Sequence, residues 1–171
     1  MRELTVRIQF TKPCLGNVKR AGTSNLYLPR SPSGNVTMMG TWHRNNMHFA
    51  AQLVGKHEGV TNRIFWDINV DGFPRQGEDR WFRRYYTVAN GTKSRYSLHE
   101  AFQVGHVIGI NCAVPGNISD DDFWQLMMTA GRFRGLSPFL PMEYGLYEVV
   151  SVMRRRPDRP GGTNSETERA L

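Results

Sequence analysis

The sequence predicts one α+β domain in which an antiparallel sheet carries two helices. Three observations lead to this prediction: four strand-like segments, two amphipathic helical segments, and an extra pair of strand-like arms in the middle of the chain. The 171 residues, 39% of them hydrophobic, are enough for one core, and no apolar run approaches the roughly 20 residues that cross a bilayer. With only two cysteines and no signal-peptide pattern, we expect a reducing, cytoplasmic setting and no membrane partner.

The first half of the chain supplies a strand, a helix and a second strand. Residues 4–10 and 64–70 alternate apolar and polar side chains, which is typical of half-buried strands. Residues 11–40 are rich in glycine, proline, serine and asparagine and are expected to form a long loop. After this loop, an apolar stripe predicts a helix over about 42–56, with Thr41 as its N-cap.

The second half begins with a predicted β-hairpin and a buried strand. Strand-like arms at about 81–89 and 92–98 flank Asn90 and Gly91, a pair that favours a type I′ turn. Residues 106–114 are dense in β-branched side chains and predict a central strand of the sheet.

A second helix and a last strand complete the pattern. Ser119 and the aspartates at 120–122 predict a helix start, because a hydroxyl cap and negative charge both suit a helix N-terminus. Gly131 is interpreted as the stop of this helix. The valine-rich residues 146–153 predict the final strand.

These elements follow the order β-α-β-β-α-β, with the hairpin inserted between the second and third core strands. That order is the ferredoxin-like plan, an antiparallel sheet with two helices on one face. We expect residues 1–153 to form this single domain. Residues 154–171 hold almost no apolar side chains, and we expect them to be a disordered basic and polar tail.

The charge of the chain indicates the class of its partner. Lysine and arginine total 22 against 15 acidic residues, which gives a net charge of +7, and 18 of the 22 cations are arginine. Arginine binds phosphate through two parallel hydrogen bonds and stacks on flat rings, whereas lysine offers a compact point charge. The arginine excess indicates a nucleic acid as the partner, or it reflects only the codon usage of a GC-rich genome. The positions of the arginines have to decide between these two interpretations.

The hairpin carries the strongest local signal. From Arg80 to Tyr96 it contains cations and aromatic rings but no acidic residue. Cations suit phosphates and flat rings suit unstacked bases, so this composition predicts a surface for single-stranded nucleic acid. Two other interpretations stay open: aromatic side chains that pack on the domain beneath solvated arginines, or a contact with another protein.

A second basic segment, GRFRGLSPFLPMEYG at 131–145, follows the second helix. In it, Arg132 and Arg134 flank Phe133, and two glycines permit close backbone approach. A glycine-bearing basic loop between the last helix and the last strand of a ferredoxin-like domain resembles the glycine-rich loop of the CRISPR-associated RAMP superfamily. The opening LTVRIQFTKPCLGN, residues 4–17, also resembles the first strand of such proteins running into a turn.

This resemblance implies a ferredoxin-like or RRM-like domain that binds single-stranded RNA, which some members of the superfamily also cut. The length of the chain fits a small RAMP-like protein of a phage or mobile element better than a core CRISPR effector subunit. In the alternative interpretation of the loop, Gly131 is only a helix stop and Gly145 only a turn before the last strand.

We therefore expect a non-catalytic protein that binds single-stranded RNA or DNA by arginine–phosphate contacts and aromatic stacking, as a homo-oligomer or ribonucleoprotein assembly along the strand. The candidate binding residues are Arg80, Arg83, Arg84, Tyr85, Tyr86, Lys93, Arg95, Arg132, Phe133, Arg134, Lys12, Lys19 and Arg20. One alternative function is a metal-independent endoribonuclease of RAMP type with His43 or His99 as its base. Another is a phage structural or anti-defence protein that binds a second protein.

No catalytic residue, metal or cofactor is expected. The five histidines are scattered, and none has a second titratable group at helical or strand spacing that would place both on one face. The phosphate-binding motif of NTPases is absent. The aspartates at 120–122 are interpreted as helix-capping residues and not as metal ligands.

Overall fold

The computed structural model describes residues 1–71, 80–87, 94–139 and 144–155. Its strands and helices are, in chain order, β1 (Arg2–Phe10), β2 (Cys14–Leu15), β3 (Val18–Lys19), β4 (Leu26–Tyr27), α1 (Gly40–Val54), β5 (Phe65–Asp71), β6 (Trp81–Thr87), β7 (Ser94–Phe102), β8 (Val107–Val114), α2 (Asp120–Phe133) and β9 (Tyr147–Arg154). A short 3₁₀ helix, Thr61–Arg63, precedes β5. The predicted hairpin turn at Asn90 and Gly91 and the tail beyond Arg155 lie outside the described residues.

The first sheet agrees with the ferredoxin-like plan that the sequence predicts. Its four strands lie in the order β5-β8-β1-β9, and every neighbouring pair is antiparallel. Numbered by their place among the four core strands, this order is 2-3-1-4, the split β-α-β arrangement of a ferredoxin-like domain. The α+β class and the inserted hairpin are therefore confirmed.

One core lies between this sheet and the two helices. Alternate side chains of β1 are buried on the helix side, which follows from the period of two along a strand. Side chains of this core that come from the strands and helices include Leu4, Val6, Ile8, Phe10, Ile108, Ile110, Met47, Ala50, Phe123, Leu126, Met127 and Ala130. The apolar stripes that predict the helices thus mark the surfaces that the helices bury.

Two predicted helix ends are wrong. The first helix starts at Gly40, so Met39 and not Thr41 occupies the N-cap position, and no side chain caps it. The second helix continues through Gly131 to Phe133, and the left-handed residue beyond its end is Gly135, at φ +71°. In the described part of the chain, no helix combines the length and the apolarity needed to cross a bilayer.

A second sheet is built around the long strand β7. The strands β2 and β4 pair with one edge of β7, β3 pairs with β4, and β6 pairs with the other edge of β7. Part of the predicted loop 11–40 therefore forms short strands that cover β7. The two sheets meet where the rings of Phe10 and Phe102 stack, 5.3 Å apart and nearly parallel.

Candidate nucleic-acid interface

The hairpin formed by β6 and β7 presents two faces. Its register pairs Arg84 with Ser97, Tyr85 with Tyr96, and so on along both strands. Since successive side chains point to opposite sides of a strand, one face carries Arg83 and the Tyr85–Tyr96 pair. The other face carries Arg84 with its partner Ser97. We call this second side the Arg84 face.

The tyrosines of the hairpin are available to a ligand. Tyr85, Tyr86 and Tyr96 are 62%, 42% and 54% exposed, which is unusual for large rings. The rings of Tyr85 and Tyr96 lie 6.0 Å apart, and the guanidinium carbon of Arg83 lies 5.5 Å from the centre of the Tyr96 ring. An exposed pair of rings thus lies beside a cation, which is the combination found in stacking platforms for single strands.

The loop that follows α2 packs against the Arg84 face. The guanidinium carbon of Arg84 lies 4.6 Å from the centre of the Phe139 ring, and the edge of the same ring meets His99 at 4.9 Å. At the other end of this loop, Tyr144 contacts Phe82 edge-to-face at 5.8 Å. The hairpin and the loop after α2, two segments well separated in the sequence, therefore form one surface.

A buried asparagine, Asn46 on α1, holds the start of this loop. Its amide nitrogen donates to the carbonyl oxygens of Ala130 at 3.2 Å and Gly135 at 2.7 Å. Its amide oxygen accepts a hydrogen bond from the hydroxyl of Tyr147 at 3.0 Å. The loop is thereby fixed to both α1 and β9, although sequence reasoning gave Asn46 no role, because a polar residue in a helical pattern is normally solvated.

A cavity of about 270 Å³ lies between this loop and the start of α1. Arg134 is at its rim and places its guanidinium carbon 5.1 Å from the centre of the Phe49 ring. The other lining residues are Thr41, Trp42, Asn45, Asn46, Gly135, Leu136, Ser137 and Pro138. Because the first turn of α1 has neither a side-chain cap nor an acidic residue, the positive end of its dipole is not offset locally.

Cations from the N-terminal segment join the opposite side of the hairpin. The guanidinium carbon of Arg20 lies 4.3 Å from the centre of the Tyr27 ring, and Tyr27 meets Trp81 edge-to-face at 5.3 Å. Arg80 lies over the other ring of this pair, 5.4 Å from the centre of Trp81. The exposed Lys19 precedes Arg20 directly.

Glu100 fixes this N-terminal segment to β7. Its buried carboxylate accepts a hydrogen bond from the backbone N–H of Leu28 at 3.0 Å and forms an ion pair with Arg30. The backbone oxygen of Glu100 also accepts from the N–H of Gly16 at 2.8 Å. The acidic side chain at this end of β7 is therefore buried and bound to Leu28 and Arg30. These contacts hold the segment that contains Lys19 beside the hairpin.

Three of the other predicted residues, Lys12, Arg132 and Phe133, lie at the margins of this surface. Lys12 is exposed, and its backbone N–H donates at 3.2 Å to the oxygen of Leu146, where the loop after α2 ends. Arg132 and Phe133 are exposed at the end of α2 and contact each other, with the guanidinium carbon 5.5 Å from the ring centre. Neither takes part in the contacts that join the loop to the hairpin. Lys93 lies outside the described residues.

The two histidines proposed as alternative bases have very different surroundings. His43 is buried in the core and stacks on Trp66 at 4.6 Å, and this burial lowers its pKa to about 3. Its Nε2 atom has no hydrogen-bond partner among the described residues. His99, by contrast, lies on the Arg84 face, and burial lowers its pKa with a further contribution from the positive charge of Arg84. Of the two, His99 is the one that lies at the candidate interface.

The aspartates that begin α2 act within the fold. Ser119 is the N-cap, and its hydroxyl accepts from the N–H of Asp122 at 3.0 Å. The Asp122 carboxylate contacts His57 and Lys56, and the side-chain hydrogen bonds that it accepts from His57, the Ser119 hydroxyl and Lys56 lower its pKa to about 2. Within the residues that the structure describes, no group of three acidic, histidine or cysteine side chains is arranged to hold a metal ion.

Comparison with known proteins supports the fold. No family model matches this chain, and no curated protein matches its sequence. Among solved structures, it is similar to a chain of the assembly described as type III-B Cmr-beta bound to cognate target RNA, determined by cryo-electron microscopy. The TM-score is 0.64 at 11% identity, and the match covers 90% of this chain but 60% of the other. At that identity the similarity concerns the fold alone.

Proposed function

We propose that this chain is a small RAMP-like protein that binds single-stranded RNA across the β6–β7 hairpin and the loop after α2. Arginines at both places contact phosphates, and the exposed tyrosines stack on unpaired bases. The protein acts as part of a ribonucleoprotein assembly, in which several copies follow one strand. DNA single strands bind the same surface more weakly if the contacts include the ribose 2′-hydroxyl.

The observation that carries this proposal is the contact between Arg84 and Phe139. It joins the two segments that composition alone marks as basic and aromatic into one surface. The one acidic residue of the described part of the hairpin strands, Glu100, is buried and paired with Arg30. The exposed charges of the described parts of β6 and β7 are therefore positive, which favours a polyanion over a partner protein of mixed charge.

Two further observations support single-stranded RNA as the ligand. The resemblance of the loop and the first strand to the RAMP superfamily implies single-stranded RNA. The chain that is similar in fold comes from an assembly whose description includes a bound target RNA. The open face of the first sheet offers a poorer site, because it carries Glu3 and Glu148 among its exposed side chains.

A salt titration of binding tests this function. Fluorescently labelled single-stranded RNA, single-stranded DNA and duplexes of matched sequence are titrated with protein at several salt concentrations, and anisotropy gives each Kd. We expect single strands to bind more tightly than duplexes, and the affinity to fall steeply with salt, because phosphate contacts release counterions.

A preparation check accompanies this titration. Purified protein that carries nucleic acid has a raised 260/280 absorbance ratio that ribonuclease lowers. Equal binding of single strands and duplexes, or an affinity that does not change with salt, would contradict the proposal and favour the protein-binding alternative.

A further inference from the structure

A serine and a histidine form a hydrogen-bonded pair on the Arg84 face. The hydroxyl oxygen of Ser97 lies 2.7 Å from Nε2 of His99, and Nδ1 of the same ring lies 2.7 Å from the carbonyl oxygen of Gly16. A carbonyl oxygen only accepts hydrogen bonds, so in the neutral ring Nδ1 carries the proton. The Nε2 lone pair then accepts the hydroxyl hydrogen of Ser97. A hydroxyl, a base and a group that orients the base are thus aligned in series.

The surroundings of this pair suit a reaction at an anionic centre. Ser97 is half-buried on the strand surface, whereas the His99 ring is fully covered and meets the edge of Phe139. Arg84 lies directly opposite Ser97 in the hairpin register, so a positively charged side chain stands on the same face of the hairpin as the hydroxyl. Burial keeps the imidazole in its neutral, proton-accepting form.

We propose that Ser97 is a nucleophile, activated by His99 as general base, that attacks a phosphodiester of the strand bound at the hairpin. This inference rests on the proposed function for its substrate. The Ser97 oxygen bonds to phosphorus while its proton passes to Nε2 of His99. The bond from phosphorus to the leaving oxygen then breaks, and the same proton passes to that oxygen. The products are a strand with a free hydroxyl end and a strand joined to Ser97 through its phosphate.

The covalent intermediate between Ser97 and the strand reacts further in one of two ways. Water attacks the phosphorus and releases Ser97, which leaves a cut strand, or the free hydroxyl end attacks and restores the original one. Arg84 stabilises the additional negative charge that phosphorus carries in each step. The sequence predicts a protein without catalysis because no histidine has a titratable neighbour at strand spacing. A serine is not a titratable neighbour, so that criterion does not detect Ser97, which stands two residues before His99 on the same side of β7.

The first experiment measures the reactivity of Ser97 in the absence of nucleic acid. The full chain is treated with a tagged alkyl fluorophosphonate, in which a nucleophilic serine displaces fluoride, and the modified residue is located by peptide mass spectrometry. Ser151 on β9 is the matched control, because it pairs in register with Arg7 as Ser97 pairs with Arg84, but no hydrogen bond to a histidine is present. We expect Ser97 to react at least about 100-fold faster than Ser151. Equal rates at the two serines would overturn the proposal.

Two variants extend this measurement. Ser97→Ala should abolish labelling, and His99→Gln should slow labelling of Ser97 by about 100-fold. Since His99 also holds Gly16, the second variant is used only if its thermal midpoint shows that it folds. If it does not, the comparison of Ser97 with Ser151 in the unchanged protein decides the question.

The last arm uses a labelled single strand. Denaturing gels should show a protein–strand adduct or discrete products with the unchanged protein and neither with Ser97→Ala, which should still shift the strand on a native gel. A bound strand with no adduct, no product and no reactive Ser97 overturns this inference and leaves the binding function standing. A reactive Ser97 without strand binding overturns the proposed function and with it the phosphodiester as substrate.

Discussion

The guanidinium of Arg84 lies over the ring of Phe139, with 4.6 Å between its central carbon and the ring centre. This contact fixes an arginine from the hairpin against an aromatic ring from the loop after α2. A guanidinium on an aromatic face still presents its N–H groups at the edge, where they reach phosphate oxygens. The stack therefore fixes the orientation of this cation relative to the loop after α2.

Replacing Arg83 and Arg84 together by alanine should weaken binding of single-stranded RNA. Each lost phosphate contact should reduce the slope of log affinity against log salt by about 0.7, because fewer counterions are released on binding. Anisotropy titrations at four or more salt concentrations measure both the affinity and the slope.

The control for this double variant is Arg63→Ala. Arg63 is an exposed arginine of the 3₁₀ helix before β5, outside the candidate interface. The Arg63→Ala variant loses one positive charge, but the hairpin is unchanged. The slope of log affinity against log salt should therefore equal that of the unchanged protein. An equal effect of Arg63→Ala would mean that net charge and not the hairpin determines binding.

Arg134→Ala should reduce affinity more than Arg132→Ala. Arg134 lines the cavity beside the start of α1 and is held over Phe49, whereas Arg132 is exposed at the end of α2. An arginine that is already held in place loses less conformational freedom on binding phosphate. The same salt titration compares the two single variants, and a larger loss with Arg132→Ala would place the strand along α2 instead of the cavity.

The core of the fold is predictable from the sequence because its signals are local. The alternation in residues 4–10 and the apolar stripe around Met47 each indicate which face of the element is buried. The order of such segments along the chain restricts the sheet to few topologies. The second sheet is not predictable in this way. The strands β2, β3 and β4 have two residues each. The strands β2 and β4 form because they pair with β7, and β3 because it pairs with β4, and no local sequence pattern indicates these pairings.

The candidate site is predictable in composition but not in arrangement. The absence of acids between Arg80 and Tyr96 identifies the hairpin, yet nothing in the sequence reports that Phe139 reaches Arg84. Residues that act by long-range hydrogen bonds are also missed. Asn46 bonds to groups about 84 to 101 residues away, so its role as the support of the loop appears only in three dimensions.

Gly131→Ala should destabilise the protein although it places alanine inside a helix. A Cβ atom at this position would lie 2.3 Å from the backbone oxygen of Tyr147 and 2.6 Å from its ring, so α2 or β9 has to shift. We expect a loss of about 1–3 kcal/mol, which exceeds the roughly 1 kcal/mol that alanine gains over glycine in a helix. Chemical denaturation measures this difference.

Gly40→Ala is the matched control for that variant. Gly40 also lies in a helix, as the first residue of α1, but no atom lies within 4 Å of a Cβ built there. Its free energy of unfolding should stay the same or rise. If Gly131→Ala were as stable as Gly40→Ala, the close approach of α2 to Tyr147 would not constrain the fold.

Burial of His43 should make the protein less stable as the pH falls from 7 to 5. The folded state lowers the His43 pKa to about 3 from the ordinary 6.5, so below pH 6.5 the unfolded chain binds a proton that the folded chain does not. Stability present above pH 6.5 is then lost by about 1.4 kcal/mol for each further pH unit. His99 contributes in the same direction. The lowered pKa of Asp122, about 2, acts only below pH 4 and leaves this window undisturbed.

Two replacements of His43 distinguish the effect of its protonation on stability from the effect of its packing on stability. His43→Phe keeps a ring that stacks on Trp66, and His43→Gln does not, so the two variants should differ in stability at pH 7. Neither side chain binds a proton, and we therefore expect both to lose the same part of the pH dependence between pH 7 and 5. Urea denaturation at three pH values measures the slopes. A slope unchanged in both variants would mean that His43 gains its proton without unfolding the core, and that the ring is less enclosed than its stacking on Trp66 indicates.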